Sequence, residues 1–210
     1  KWKSAFNQYK LKSKLETEGI IYVFIGFDFG TSSSKIIVDF PFDANVETQA
    51  FPVPRELRAD NHQHCWKSIL YYCKDKDFFD IIPLTENMIQ LSEIKTSLMN
   101  KNLNKIILEK DNILFKSENA SAVYLGCLLK LVKGWIISDI IRKQFKNPDT
   151  FKIEWEVNIG FPAAKIDVKG MSKLYEEILK QASVLSESNE QIKISNFYNI
   201  LTNYDQKINP

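Results

Sequence analysis

Cysteine and histidine are scarce in this chain, and net charge is nearly absent. The three cysteines, Cys65, Cys73 and Cys127, are odd in number and irregularly spaced. That excludes a regular disulfide framework and predicts reduced thiols and a cytoplasmic location. The two histidines, His62 and His64, lie far from any nucleophile-elbow sequence, so no Ser-His-Asp arrangement can be built. Together with Cys65 and Cys73 they hint at a metal site, but paired Cys-x-x-Cys spacing is missing. With 28 basic and 26 acidic residues the formal charge is +2, which provides no polycationic surface for nucleic acid and no acidic tail. A secretory signal is missing too, because Trp2, Phe6, Leu11 and Leu15 are scattered among lysines. The most apolar stretch, Ala120 to Ile141, is interrupted by Lys130, Lys133 and Asp139, which argues for a buried helix and against a transmembrane segment. No internal repeat or low-complexity segment is visible.

What is present is an alternation of strands and helices. Residues 1–18 read as an amphipathic N-terminal helix with Trp2, Phe6 and Tyr9 on one face, suited to docking on the same chain, a partner or a membrane surface. Ile20–Phe29 and Lys35–Phe40 read as an antiparallel hairpin, extended by a third strand around Val46–Val53, with the sheet buried on both faces near its start. Residues 55–118 have no clear period, although Leu91–Leu98 suggests a short helix or an irregular element. Asn119–Phe145 carries apolar residues at helical spacing and stops at Asn147-Pro148. Ile153, Trp155, Val157, Ile159 and Phe161 alternate with polar residues as a strand ended by Pro162. A helix follows over Gly170–Ser186, and Ile192–Phe197 is expected to be a last strand. The order predicts an α/β fold with a mixed β-sheet and flanking helices.

The chemistry concentrates in Asp28-Phe29-Gly30-Thr31-Ser32-Ser33-Ser34-Lys35. Gly30 is expected to reach positive φ and to let a ligand approach the backbone. Thr31, Ser32 and Ser33 offer N–H and hydroxyl donors, and Lys35 adds a point charge for a phosphate. Asp28, at the end of its strand, is placed to hold Mg²⁺ directly or through water. The bland alternative is a hairpin whose polar side chains only bond their own turn.

The stretch IGFDFGTSSSKIIV resembles the first phosphate-binding loop of the superfamily that joins actin, sugar kinases and DnaK-type heat-shock chaperones. The later segments Ser121-Ala-Val-Tyr-Leu-Gly-Cys-Leu-Leu-Lys and Glu156-Val-Asn-Ile-Gly-Phe-Pro-Ala-Ala resemble the chaperone branch, with Pro162 matching the proline of a hydrophobic-Pro-Ala turn. Lys207-Ile-Asn-Pro210, preceded by the expected last strand, is similar to an Ile-Asn-Glu-Pro segment of the chaperones but lacks its acidic residue. Lys35 also departs from that branch and is more like actin or the sugar kinases.

The resemblance implies an actin-like (ribonuclease H-like) ATPase lobe over 19–210, with the second lobe absent from a chain that reads as a piece of a longer polypeptide. It implies ATP and Mg²⁺ as cofactors, bound through Gly30, Thr31, Ser32, Ser33 and Lys35, with Asp28 on the metal. Asp28 and Lys35 are then the catalytic pair, for attack of water on the γ-phosphate, and a protein partner or client is expected. The alternatives are a sugar kinase of the same superfamily and a non-catalytic scaffold that keeps the fold.

Overall fold

The computed structural model describes residues 19–99, 105–160 and 170–208. The amphipathic N-terminal segment, Pro162 and the end of the Lys207–Pro210 segment lie outside them. The described residues form two compact units, one of residues 19–28, 34–66 and 130–160, the other of residues 29–33, 67–99, 105–129 and 170–208.

The first unit is built on β1 (Gly19–Phe29), whose Ile, Val and Phe residues suit a pleated, half-buried surface. Ile21, Val23, Ile25 and Phe27 are each no more than 5% exposed, whereas Ile20, Tyr22, Gly26 and Asp28 face outward. The expectation of a sheet buried on both faces is therefore corrected: β1 alternates with period two and leaves one face open. β2 (Ser33–Asp39) forms the other arm of the hairpin and follows the same rule, with Ile36 and Val38 buried and Lys35 and Ile37 exposed. The third strand, β3 (Gln49–Ala50), is much shorter than expected, because Phe51 turns into the core ahead of Pro52. It pairs antiparallel with β2, which also pairs with β4 (Trp66–Lys67).

The remaining strand of this sheet is β10 (Phe151–Ile159), parallel to β1 in a register that runs from Gly19 opposite Phe151 to Phe27 opposite Ile159. The sheet order β10-β1-β2-β3 is thus mixed, as expected. Parallel neighbours need a crossover, and a 28-residue helix, Ser117–Gln144, lies between the strands in sequence. Its length and hydropathy would suffice to cross a membrane, but 94% of its most apolar window is buried within the protein. It is the predicted long helix, with one turn, Ile136–Ile141, wound as a π-helix. In this unit Trp135 packs edge-on against Phe51, and the Lys133 ammonium lies 5.4 Å from the Trp155 ring centre.

The second unit contains most of the region without a readable period. β5 (Leu70–Cys73) is flanked antiparallel by β6 (Phe78–Asp80) and β7 (Ile89–Leu91). A short helix α1 (Ile94–Met99) follows, and β8 (Ile106–Lys110) and β9 (Ile113–Lys116) form a hairpin. With the Ser117–Gln144 helix taken as α2, α3 (Met171–Glu187) confirms the second predicted helix. It packs against Gly126, where an added Cβ would come within 2.9 Å of Leu185 Cβ. The expected last strand is not formed. Ile192 and Ile194 are buried in an irregular segment, and Phe197 already opens α4 (Phe197–Ile208). Its Phe197 ring closes a row with Phe115 and Phe79.

Asp77 clasps this unit together. It is 8% exposed, sits in the left-handed region at φ 49°, and accepts hydrogen bonds from Tyr72 Oη at 3.1 Å and the Ile194 N–H at 3.2 Å. Lys110 Nζ lies 3.2 Å from its other oxygen. Burial acts to raise its pKa, but hydrogen bonds from Ser195, Lys110, Tyr72 and the Ile194 amide outweigh burial and hold the carboxyl below the usual aspartate value. Asp77→Ala leaves those donors stranded and is expected to lower unfolding free energy by about 3 kcal/mol in urea titrations. A loss within error would refute the clasp. Because the folded pKa is depressed, the carboxylate's contribution is present above the unfolded value and is lost as pH falls through the folded one. The stability gap between the parent and Asp77→Asn should therefore narrow as pH falls below the ordinary aspartate range.

Candidate functional site

The candidate site is the tip of the β1–β2 hairpin. The Gly30 N–H donates to the Ser33 carbonyl at 2.9 Å, so these two residues face each other across a turn with Thr31 and Ser32 at its apex. Continued down the strands, that register sets Phe29 opposite Ser34 and Asp28 opposite Lys35. The approach of Gly26 to the Ile37 carbonyl, four residues further down, fits it. Directly opposed residues on one face of an antiparallel pair have Cβ atoms about 5 Å apart. Asp28 and Lys35 are therefore neighbours, both exposed on the outer face. Among the described residues neither side chain forms a hydrogen bond or an ion pair.

Gly30 is needed for a different reason from the expected one. Its φ lies outside the left-handed region, but an added Cβ would fall far inside contact distance of the Ser33 carbonyl oxygen. The glycine permits a close crossing of the chain with itself, not a left-handed turn. The tip is also braced from below by Ser68, which is 2% exposed. Its N–H donates to the Ser32 carbonyl and its hydroxyl to the Gly30 carbonyl, both at 3.0 Å. The carbonyls on the inner side of the turn are thus engaged. Among the described residues the N–H groups of Thr31 and Ser32 donate no hydrogen bond, and both residues are exposed. Exposed, uncommitted N–H groups in consecutive positions suit an anionic oxygen.

Two further residues belong to the tip and carry no sequence signal. Ser68 is a lone serine 38 positions from Gly30. Lys95, on α1, is 6% exposed, with its ammonium 5.1 Å from the Phe29 ring centre, while Tyr124 stacks on Phe29 at 5.7 Å. Phe29 is thereby anchored directly before Gly30. In the first unit the Gly160 N–H donates to the Phe27 carbonyl at 2.6 Å, so the C-terminal ends of the parallel strands β10 and β1 finish side by side. Such ends are where open α/β sheets bind ligands.

Among the described residues of the tip, Asp28 is the one carboxylate. That donor set fits a hydrated Mg²⁺ arriving with phosphates, which needs only one or two protein carboxylates, and not a resident ion in an all-protein cage. The His/Cys hint of a metal site finds no support. Among the described residues no group of three or more metal-ligating side chains occurs, and Cys65, Cys73 and Cys127 are all free and buried. Cys73 packs with Tyr71, Phe78 and Met88, and His64 Nδ1 lies 3.2 Å from the Phe51 carbonyl. Comparison of the chain with family models, with curated proteins and with solved structures gives no match.

Gly30→Ala must open the hairpin tip, because backbone is what its methyl meets, and is expected to cost about 2 kcal/mol or more. Ser68→Ala removes the hydroxyl brace at about 1 kcal/mol. Thermal and urea unfolding of both variants would measure the order, and a Gly30→Ala variant as stable as the parent would overturn the close-crossing account.

Proposed function

We propose that this chain binds ATP with Mg²⁺ through the β1–β2 tip, as the first lobe of an actin-like, DnaK-type chaperone ATPase working in the cytoplasm. The observation that carries the reading is the pairing of Asp28 with Lys35 on the exposed face, one residue-pair away from a braced turn whose outer N–H groups are uncommitted. The N–H groups and hydroxyls of Thr31 and Ser32 donate to phosphate oxygens, and Lys35 offsets their charge. Asp28 would hold Mg²⁺ through its waters, and the metal would supply charge neutralisation at the phosphates. The nucleotide supplies the γ-phosphoryl group, and hydrolysis by water then requires these residues to stabilise charge on it.

Mg-ATP should raise the melting temperature of the full-length protein, with about 2.7 kcal/mol of added stability at a hundredfold excess over Kd. Asp28→Ala and Lys35→Ala remove only exposed side chains, so each should unfold like the parent without nucleotide and lose that added stability. Phosphate release without added sugar separates a chaperone-like ATPase from a sugar kinase, which would turn over only with a sugar or polyol. If no Mg-nucleotide shifts the parent, the scaffold reading replaces this one. The exposed apolar side chains on the outer face of β1 and β2 favour that second reading.

A further inference from the structure

The outer face of the first unit's sheet is an apolar column between two acidic ones. The outward residues of β1 are Ile20, Tyr22, Phe24 and Gly26, and Ile20 and Tyr22 are 48% and 41% exposed. Phe42, 77% exposed, meets the Tyr22 ring edge to face at 5.2 Å, and Ile37, 53% exposed, stands across from Gly26. On one side the β10 register sets Glu154 beside Tyr22 and Glu156 beside Phe24. On the other side the hairpin register brings Asp39 beside Phe24, and Asp43 follows Phe42. These flanks carry four carboxylates against the one ammonium of Lys152, which pairs with Glu154. Contiguous exposed apolar side chains rimmed by charge mark a contact surface.

Gly26 is a second, independent sign of contact. It faces outward with φ outside the left-handed region, and an added Cβ would meet only the Ile37 carbonyl oxygen, at an ordinary 3.9 Å. Nothing within the fold therefore requires glycine at a position where it weakens the strand. A strand glycine without an internal reason marks close approach by another chain.

Dimensions and charge select the occupant. Neighbouring strands lie about 4.8 Å apart, so the acidic columns are about 10 Å from each other, the width of a helix with its side chains. The column from Ile20 to Gly26 runs about 20 Å, the length of about fourteen helical residues. An anionic membrane would meet carboxylates on both sides, and a second copy of this face would set like charges together. A helix whose apolar stripe is flanked by Lys or Arg meets opposite charge on both sides instead.

We propose that this outer face binds a basic amphipathic helix of a partner protein, laid along β1. Its apolar stripe covers Ile20, Tyr22, Ile37 and Phe42 and comes closest over Gly26, and its basic flanks face Glu154 and Glu156 on one side and Asp39 and Asp43 on the other. The contact is independent of whether the hairpin tip binds nucleotide.

Fluorescence polarisation with the whole protein tests it, using a labelled synthetic helix of about fourteen residues with Leu and Phe along one stripe and lysine on both flanks. A counterpart with glutamate at every lysine position is the control. The lysine peptide is expected to bind at least about tenfold more tightly than the glutamate peptide, with a preference that shrinks in raised salt. Glu154→Lys with Glu156→Lys should abolish that preference. Gly26→Gln, which the strand accommodates, should weaken the lysine peptide at least about tenfold without lowering the melting temperature. Equal affinity for the two peptides overturns the proposal, as does a preference that survives the charge reversal or binding unchanged by Gly26→Gln. Absence of peptide binding, with self-association that grows with protein concentration or without it, also overturns it.

Discussion

The two-sided pairing of β1 is the constraint on which the first unit depends. One strand is hydrogen-bonded to β2 on one side and to β10 on the other, so its register sets both neighbours at once. A slip by one residue would expose Ile21, Val23, Ile25 and Phe27 together. Each fully buried side chain of this kind is worth about 1.5–3 kcal/mol, so misregistration would forfeit an energy comparable with a domain's whole stability. The same register that hides these four side chains turns Asp28 outward and brings Lys35 opposite it.

The hairpin tip obeys a second constraint, the demand that inner backbone groups find partners. Ser68 answers it by engaging the Gly30 and Ser32 carbonyls from a strand end 38 residues away. The brace divides the turn by polarity, with acceptors occupied beneath and donors left at the apex. Such a turn favours an anion over a cation without any charged side chain taking part.

The parts legible in the sequence are those where burial imposes a single period over many residues. β1 and β2 alternate, α2 and α3 repeat apolar residues at helical spacing, and β10 alternates over nine residues. The stretch from 55 to 118 is opaque because its strands are only two to five residues long, too short to show a period. Ile192–Phe197 misleads for a related reason. Its apolar residues are buried as a strand's would be, but the segment is tied to β6 through the Ile192 carbonyl and to Asp77 through Ile194 and Ser195 without a ladder, and Asn196 accepts from the Lys193 N–H just before α4 opens. At the site, residue types and spacing disclose Asp28, Gly30 and Lys35, but not why glycine is needed. Close approach to the Ser33 carbonyl is a property of the folded turn, and Ser68 and Lys95 reach the tip only through tertiary packing.

The proposed anion site and the stability of this hairpin are separable because they occupy opposite phases of the same alternation. Asp28 and Lys35 lie on the outward phase, where a change of side chain disturbs neither the core nor the ladder. Phe29 and Ser34, on the inward phase, are buried and fix the strand ends. Rigid strands hold the two charged groups at a set separation, which a flexible loop could not do, and the short turn between them limits how far the donors at the apex can stray. A polar constellation placed in this way needs little reorganisation to meet an anion, and that pre-organisation is what distinguishes it from an ordinary surface hairpin with the same residues.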